Sequence, residues 1–518
     1  MLQPTSKQQS AKTSSVPAPV KGINAKDGIA SMPPDFCLVA DNVFCTPTTV
    51  DIRNGSSNWA TGINGWVETV CHYRSPTKGV LIAAGNSKIF DVTATGAVGS
   101  AKVSGLTNNR WQTSNFTTPA GNFLYMVNGA DNPILYDGTN YIQISQISSP
   151  LAITGVNPAT FIHVNVFQSR LWFIPVNSLT PYYLPLNSIA GVATPFPLGS
   201  IFKMGGYIMA MATWTIDNVS GGIQDYAVFI TSEGEVAIYQ GYDPSFAATF
   251  TLAGLFVAGR PVGRRCFVKM ASDNALICSD GLVSFSKELT TDRNQSEALS
   301  YNIQQLINND IGSYFNNFGW QPVYYPAGNK FIVNVPAAED STQYQYVMNT
   351  ITGAWSTWNK ENQGFNAACW DVFEDVLYFG GNGTVVVADT GMDDNGAGIS
   401  WDIQPAYSYF GQLGQEKYFT LVRPIIVSSD QISLSYILCT DYNSIAPPSP
   451  PLSTGTGSPW DVSPWDISSW GGNPTLNKNW LGMGGIGYAA SLRIAGQTKG
   501  ISASLQSIDY VYEGGGVL

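Results

Sequence analysis

From about residue 65 the chain repeats one pattern: a short apolar run, a turn rich in Gly, Asn and Asp, then a second run carrying an aromatic or branched residue. Two extended runs joined by such a turn predict a β-hairpin. The clearest copies are VLIAAGNSKIFDV from Val80, FLYMVNGADNPILYDG from Phe123, AVFITSEGEVAIYQG from Ala227, ALICSDGLVSFS from Ala275 and VLYFGGNGTVVVADTG from Val376. Looser copies begin at Leu171 and Phe331, and the seven starts lie 43 to 56 residues apart. A lone hairpin leaves one face uncovered, so neighbours must stack, and closing the stack radially protects the edge strands. The spacing is close to the roughly 40 to 50 residues of a propeller blade. The expected fold is therefore all-β, with a β-propeller of about seven blades, within a range of six to eight, over residues 65–395.

The flanks read differently. Residues 1–20 are rich in Ser, Gln, Lys and Pro and are expected to form a flexible or partner-bound arm. Residues 21–64 form an extended segment, broken at Met32-Pro33-Pro34 and turning at Pro47 and at Asn54-Gly55. Within the array, Thr352–Trp358 (TGAWSTW) resembles the outer-strand signature of some propeller blades, which places Trp355 and Trp358 between adjacent blades. One helix is predicted, capped at Ser296 and packed through Leu299, Ile303, Leu306 and Ile307. Past residue 396 the period stops; Ile432, Leu434, Tyr436 and Leu438 alternate along a strand, and residues 396–518 are expected to form a C-terminal β-sandwich-like domain interrupted by a Pro/Trp-rich loop at 446–480.

Composition narrows the function classes. Charged residues make up 12% of the chain, about half the globular norm of roughly 25%. Such a surface is covered either by uncharged polar groups or by other subunits. The net charge of −11 argues against a groove that grips nucleic-acid phosphates, whereas an acidic wall would let DNA pass without sticking. Seven dispersed cysteines without a CxxC pair point to reduced thiols, with Cys37 and Cys45 the one pair close enough to consider for a disulfide. The first residues lack the apolar core of a secretory signal, and no window has the roughly 18 to 20 apolar residues of a membrane helix, so no stable membrane insertion is expected.

Material for catalysis is sparse. The chain has two histidines, His72 and His163, each in an apolar strand context that suits a structural role. GMGGIG at Gly482–Gly487 matches a dinucleotide fingerprint literally, but lacks the strand before it and the helix after it, and is expected to be a flexible loop. Asp389, Asp393 and Asp394 form an acidic cluster whose spacing fails the EF-hand pattern. Glu233, Glu235, Asp371 and Glu374 are the carboxylates a propeller glycosidase would have to pair, and Arg264-Arg265 is the one adjacent arginine pair. No catalytic, cofactor-binding or metal-binding residue is assigned, and no enzymatic activity is expected. The candidate contact residues are Trp460, Asp461, Trp465, Asp466 and Trp470, a Trp-Asp repeat in the Pro-rich loop suited to a subunit contact or a distal tip.

The segment Gly22–Gly55 carries a Gly-x-Asn-x-x-Asp opening, Met32-Pro33, an Asp41-Asn42 step and Arg53-Asn54-Gly55. With TGAWSTW, the helix after Ser296 and the WDxSxWD loop, it resembles the tail nozzle proteins (tail tubular protein B) of short-tailed bacteriophages. The resemblance rests on scattered motifs spread over most of the chain. It implies a virion tail protein, assembled in the host cytoplasm as a homo-oligomer, a hexameric ring. That ring would sit below the tail adaptor protein, extend the DNA-ejection channel and gate genome release. It implies further contacts to tail fibres or spikes and to a needle, with DNA passing through without specific binding. The alternative reading is a receptor-binding tail propeller that binds or cleaves host-surface glycans.

Overall fold

The computed structural model describes residues 11–218, 222–271, 273–288, 298–359, 365–455 and 475–515. They divide into two compact units, one of Met1–Ser57, Gln345–Phe365 and Asp389–Leu518, the other of Asn58–Tyr344 and Asn366–Ala388. The division is not serial. The N-terminal segment and residues 345–365 belong with the C-terminal part of the chain, where the sequence suggested four consecutive regions.

The second unit is built from hairpins, and each of the five clearest sequence copies is one. Gly79–Gly85 pairs with Lys88–Asp91, Gly121–Val127 with Ile134–Tyr136, Gly222–Thr231 with Glu235–Gly241, Asp273–Cys278 with Gly281–Ser284, and Val376–Gly380 with Asn382–Ala388. The way they assemble departs from the expected ring of about seven blades, six to eight in range. The propeller has four blades. Three are free-standing four-stranded sheets, spanning 112–143, 161–195 and 208–257, and the fourth is made by strands within 56–104. The copy at Ala275 yields three strands only, and the copy at Val376 merges with Ser56–Arg74 into one eight-stranded sheet. The copy at Phe331 splits: Lys330–Ala338 pairs with Gln321–Tyr325, while Trp355–Trp358 lies in the other unit. A hairpin period counts hairpins. It does not report which outer strand each hairpin acquires, because that pairing is non-local.

Alternation fills the space between sheets. Phe116, Tyr125 and Leu135 of one sheet pack on Phe161, Leu171 and Phe173 of the next, and Trp172 and Ile174 of that sheet pack on Phe229 and Tyr239 of the following one. The Trp172 ring lies 5.6 Å from Phe229 and 5.9 Å from Phe250. Gln304–Tyr314 is the main helix among the described residues and buries Ile307 and Ile311. The expected cap, Ser296, lies outside the described residues; Leu299 and Ile303 precede the helix, so the predicted stripe starts one turn too early.

The first unit replaces the expected C-terminal β-sandwich-like domain with non-propeller sheets that residues 396–518 do not make alone. In one, Ala503–Gly514 pairs with Lys417–Ser428, with Val50–Ile52 and with Lys12–Pro17. The part of the expected arm from Lys12 is thus a strand. Its backbone hydrogen bonds do not depend on side-chain polarity, and Val16 is buried. In the other, Cys37–Asp41 pairs with Ile399–Pro405, which pairs with Ala490–Lys499 and through it with Leu434–Thr440. Val50, Ile426 and Leu505 from the first sheet line a narrow gap with Trp401, Ile403 and Ile494 from the second. Gly482–Gly487 is likewise not a loop: Leu481–Gly487 is a strand against Lys417–Ser428. The expected loop at 446–480 is not wholly loop, since it contains the short strands Leu452–Thr454 and Thr475–Asn477; residues 456–474 lie outside the described residues.

Candidate functional site

Two polar constructions stand out, one in each unit. In the first, the motif residues of the N-terminal segment converge on a buried guanidinium. Arg53 is 2% exposed. It donates from Nη1 and Nη2 to the two oxygens of Asp394 at 2.9 and 2.6 Å, from Nε to Asn42 Oδ1 at 2.7 Å, and from Nη1 to the Asn54 carbonyl at 2.9 Å. The Phe365 ring covers the guanidinium at 4.0 Å. Asn42, at φ +53°, turns its amide nitrogen onto the Ser400 carbonyl at 2.7 Å and accepts from the Asn359 backbone N–H at 3.1 Å. Beside it, Asp41 accepts from Thr357 Oγ1 at 2.8 Å. Two glycines let backbones touch here: a Cβ on Gly22 would enter the Trp355 backbone, and one on Gly55 would enter the Asp393 carbonyl. A planar, bidentate, ring-covered guanidinium locks strands together and leaves no open coordination for a substrate.

Trp355 and Trp358 belong to this region. They are fully buried, and their strand pairs with the segment ending at Asn349 and with Asp41. They do not pack between blades, the expected placement.

The second construction is a cavity of about 380 Å³ in the propeller unit, lined by His72, His163, Arg264, Arg265, Gln321 and Asp371 among others. His72 Nδ1 lies 2.8 Å from Asp371 Oδ2. Burial alone would lower His72, but the hydrogen bond and charge of Asp371 outweigh it and hold the ring above its usual value. Burial raises Asp371, against the opposing pull of His72. Both shifts favour a proton held within the pair. His163 differs. Its Nε2 lies 2.8 Å from the Met211 carbonyl, which only accepts, so Nε2 carries the proton. Burial lowers this ring to about 4, which keeps it neutral near pH 7. Arg265 Nη2 donates to the Glu68 carbonyl, Thr69 Oγ1 and the Trp111 carbonyl at 3.0, 2.8 and 3.0 Å.

The carboxylates singled out by sequence do not form a hydrolytic pair. Glu235 accepts the backbone N–H groups of Lys203 and Met204, Glu233 meets Arg260, Glu374 meets Arg74, and Asp371 meets His72. Asp394 is committed to Arg53, and Asp393 accepts from the Gly396 N–H at 2.6 Å. Among the described residues no group of three or more His, Cys, Asp or Glu is placed to hold a metal. The seven cysteines are buried and none is in a disulfide, Cys37 and Cys45 included, and burial pushes the Cys45 thiol up to about 12. Trp460, Asp461, Trp465, Asp466 and Trp470 lie outside the described residues. Sequence reasoning missed the His72–Asp371 pair because 299 residues separate its members. The one signal was that both were polar exceptions in apolar strands.

No helix among the described residues is long and apolar enough to cross a membrane. No protein family matches the chain, and no curated protein matches it. Among solved structures, the chain is similar to BBS1N in its complex with ARL6DN at 11% identity, covering 65% of this chain and 96% of that one with a TM-score of 0.39. It is similar also to the β-propeller domain of Myceliophteria thermophila Cps50 (Swd1) at 11% identity, covering 62% and 96% with a TM-score of 0.37. Likenesses at these scores carry no argument about what the chain does.

Proposed function

We propose that this chain is a structural subunit of a phage tail nozzle, a homo-oligomeric ring that extends the DNA-ejection channel below the adaptor and gates genome release. The observation that supports it is an uncovered apolar edge. Among the described residues, Phe250–Val257 pairs with Glu235–Gly241 alone, at the edge of its four-stranded sheet. It carries no charge and no proline, the usual devices that keep an edge strand from pairing with another chain. Leu252 and Val257 on it are 42% and 52% exposed, and Tyr242 and Phe246 in the preceding turn are 66% and 64% exposed. An uncharged edge of this kind suits burial against a neighbouring subunit. The motif residues of the tail-nozzle resemblance support the same reading, because Gly22, Asp41, Asn42, Arg53, Gly55 and Trp355 share one buried network and so work as one pattern. On this reading the acidic balance keeps passing DNA from adhering.

The test is the mass of the native assembly. Six chains of 55.7 kDa per particle, seen as rings in negative stain, are expected. A protein that stays monomeric at micromolar concentration, alone and with the tail adaptor, would sink the proposal.

A further inference from the structure

Two arginines line the propeller cavity with no carboxylate of the described residues within salt-bridge distance of either. Nine arginines fall among the described residues, and seven of them lie within salt-bridge distance of an aspartate or glutamate. The two that do not are neighbours, Arg264 and Arg265, and both line this one cavity. In a chain of net charge −11, two adjacent guanidinium groups without a carboxylate are not explained by a shortage of acids. Asp371 shares the cavity, but His72 already occupies it at 2.8 Å.

Arg265 is held in place by groups that fix it without neutralising it. Its Nη2 makes three hydrogen bonds, to two backbone carbonyls and a threonine hydroxyl. Its Nη1 is buried without a hydrogen-bond partner among the described residues. Arg264 spends one hydrogen bond, from Nη1 to the Asn128 carbonyl at 3.3 Å, and is otherwise exposed at the cavity. Burial disfavours the charge on both. A guanidinium does not escape by losing its proton, so the partly buried Arg265 keeps its charge without an acidic partner. An anion in the cavity would accept from the idle N–H groups of Arg264 and set a negative charge beside Arg265. The volume, about 380 Å³, falls in the range of roughly 300 to 1,000 Å³ occupied by small-molecule sites.

We infer that this cavity is a binding site for a small oxyanion, a carboxylate or a phosphate, held by Arg264 and Arg265. The inference is independent of the nozzle reading, since it concerns a site within a single chain.

The test is isothermal titration of the full-length protein with sodium phosphate and, separately, sodium citrate, each against sodium chloride at matched ionic strength. Saturable binding of at least one anion is expected, and the two arms tell phosphate from carboxylate. Arg264→Gln should weaken binding about tenfold, the loss typical of one charge-assisted contact, and Arg265→Gln should abolish it. Arg74→Gln, on a paired surface arginine outside the cavity, should leave it unchanged. If Arg265→Gln fails to fold, the exposed Arg264 decides the outcome. Absence of saturable binding to either anion, or wild-type binding by Arg264→Gln, overturns the inference.

Discussion

At the scale of single residues, the Arg53 network shows what a buried charge demands. Removing Asp394 would strand a guanidinium that is 2% exposed; breaking one side of such a pair costs about 3 to 5 kcal/mol. Asp394→Ala is therefore expected to lower the melting temperature strongly. Arg53→Lys should lower it as well, because an ammonium neither bridges both carboxylate oxygens nor lies flat on Phe365. A melt of either variant within a degree of wild type would refute this account. The two histidines give a second test, with opposite signs. His163 is held at about 4 against an ordinary 6.5, so the stability it confers is complete above pH 6.5 and is lost as the pH falls toward 4. That loss is on the order of 3 kcal/mol. His72 is raised, so its contribution is full below about 6.5 and fades as the pH climbs through the higher folded value. With two histidines in the chain, two imidazole resonances should titrate on either side of pH 6.5, and coincident midpoints would contradict both assignments. Little of this was legible beforehand. The Arg53-Asn54-Gly55 turn could be read, but Asp394 lies 341 residues away, and no local pattern reports a partner at that distance.

At the scale of elements, turn chemistry was the readable part. Asn86 and Ser87 adopt positive φ between Gly79–Gly85 and Lys88–Asp91, as a Gly-Asn-Ser turn between two apolar runs suggests. The outer strands were not readable, because short pieces such as Tyr182–Tyr183 and Thr194–Pro195 have no periodicity and are recruited by the hairpin beside them. The faces of the sheets nonetheless carry the stability. Trp172→Ala should cost about 3 to 5 kcal/mol, since a large buried ring leaves a cavity its neighbours cannot fill; denaturant melts would measure it. The exposed edge should behave in the opposite way. Leu252→Lys with Val257→Lys should leave the melt of the single chain within about 0.5 kcal/mol, yet prevent assembly seen by sedimentation. A double variant that still forms rings would remove this edge from the subunit contact.

At the scale of the whole molecule, each compact unit answers to a different part of the sequence. The propeller unit comes from two stretches, 58–344 and 366–388, whereas the other unit draws on three, 1–57, 345–365 and 389–518. Proline-rich and polar flanks suggested a serial arm, body and tail; the fold instead gathers the flanks together, since sheet edges from distant segments complete one another. The strand Ala503–Gly514 takes Lys417–Ser428, Val50–Ile52 and Lys12–Pro17 as partners. During synthesis, residues 12–57 emerge more than 440 residues before the strand that completes their sheet. At a ribosomal rate of about 5 to 20 residues per second, that is a wait of roughly 20 to 90 seconds. The propeller strands emerge in that interval and can close first. The early segment must meanwhile stay open to a partner not yet made, which ties its polar, edge-forming sequence to the order of birth of the chain.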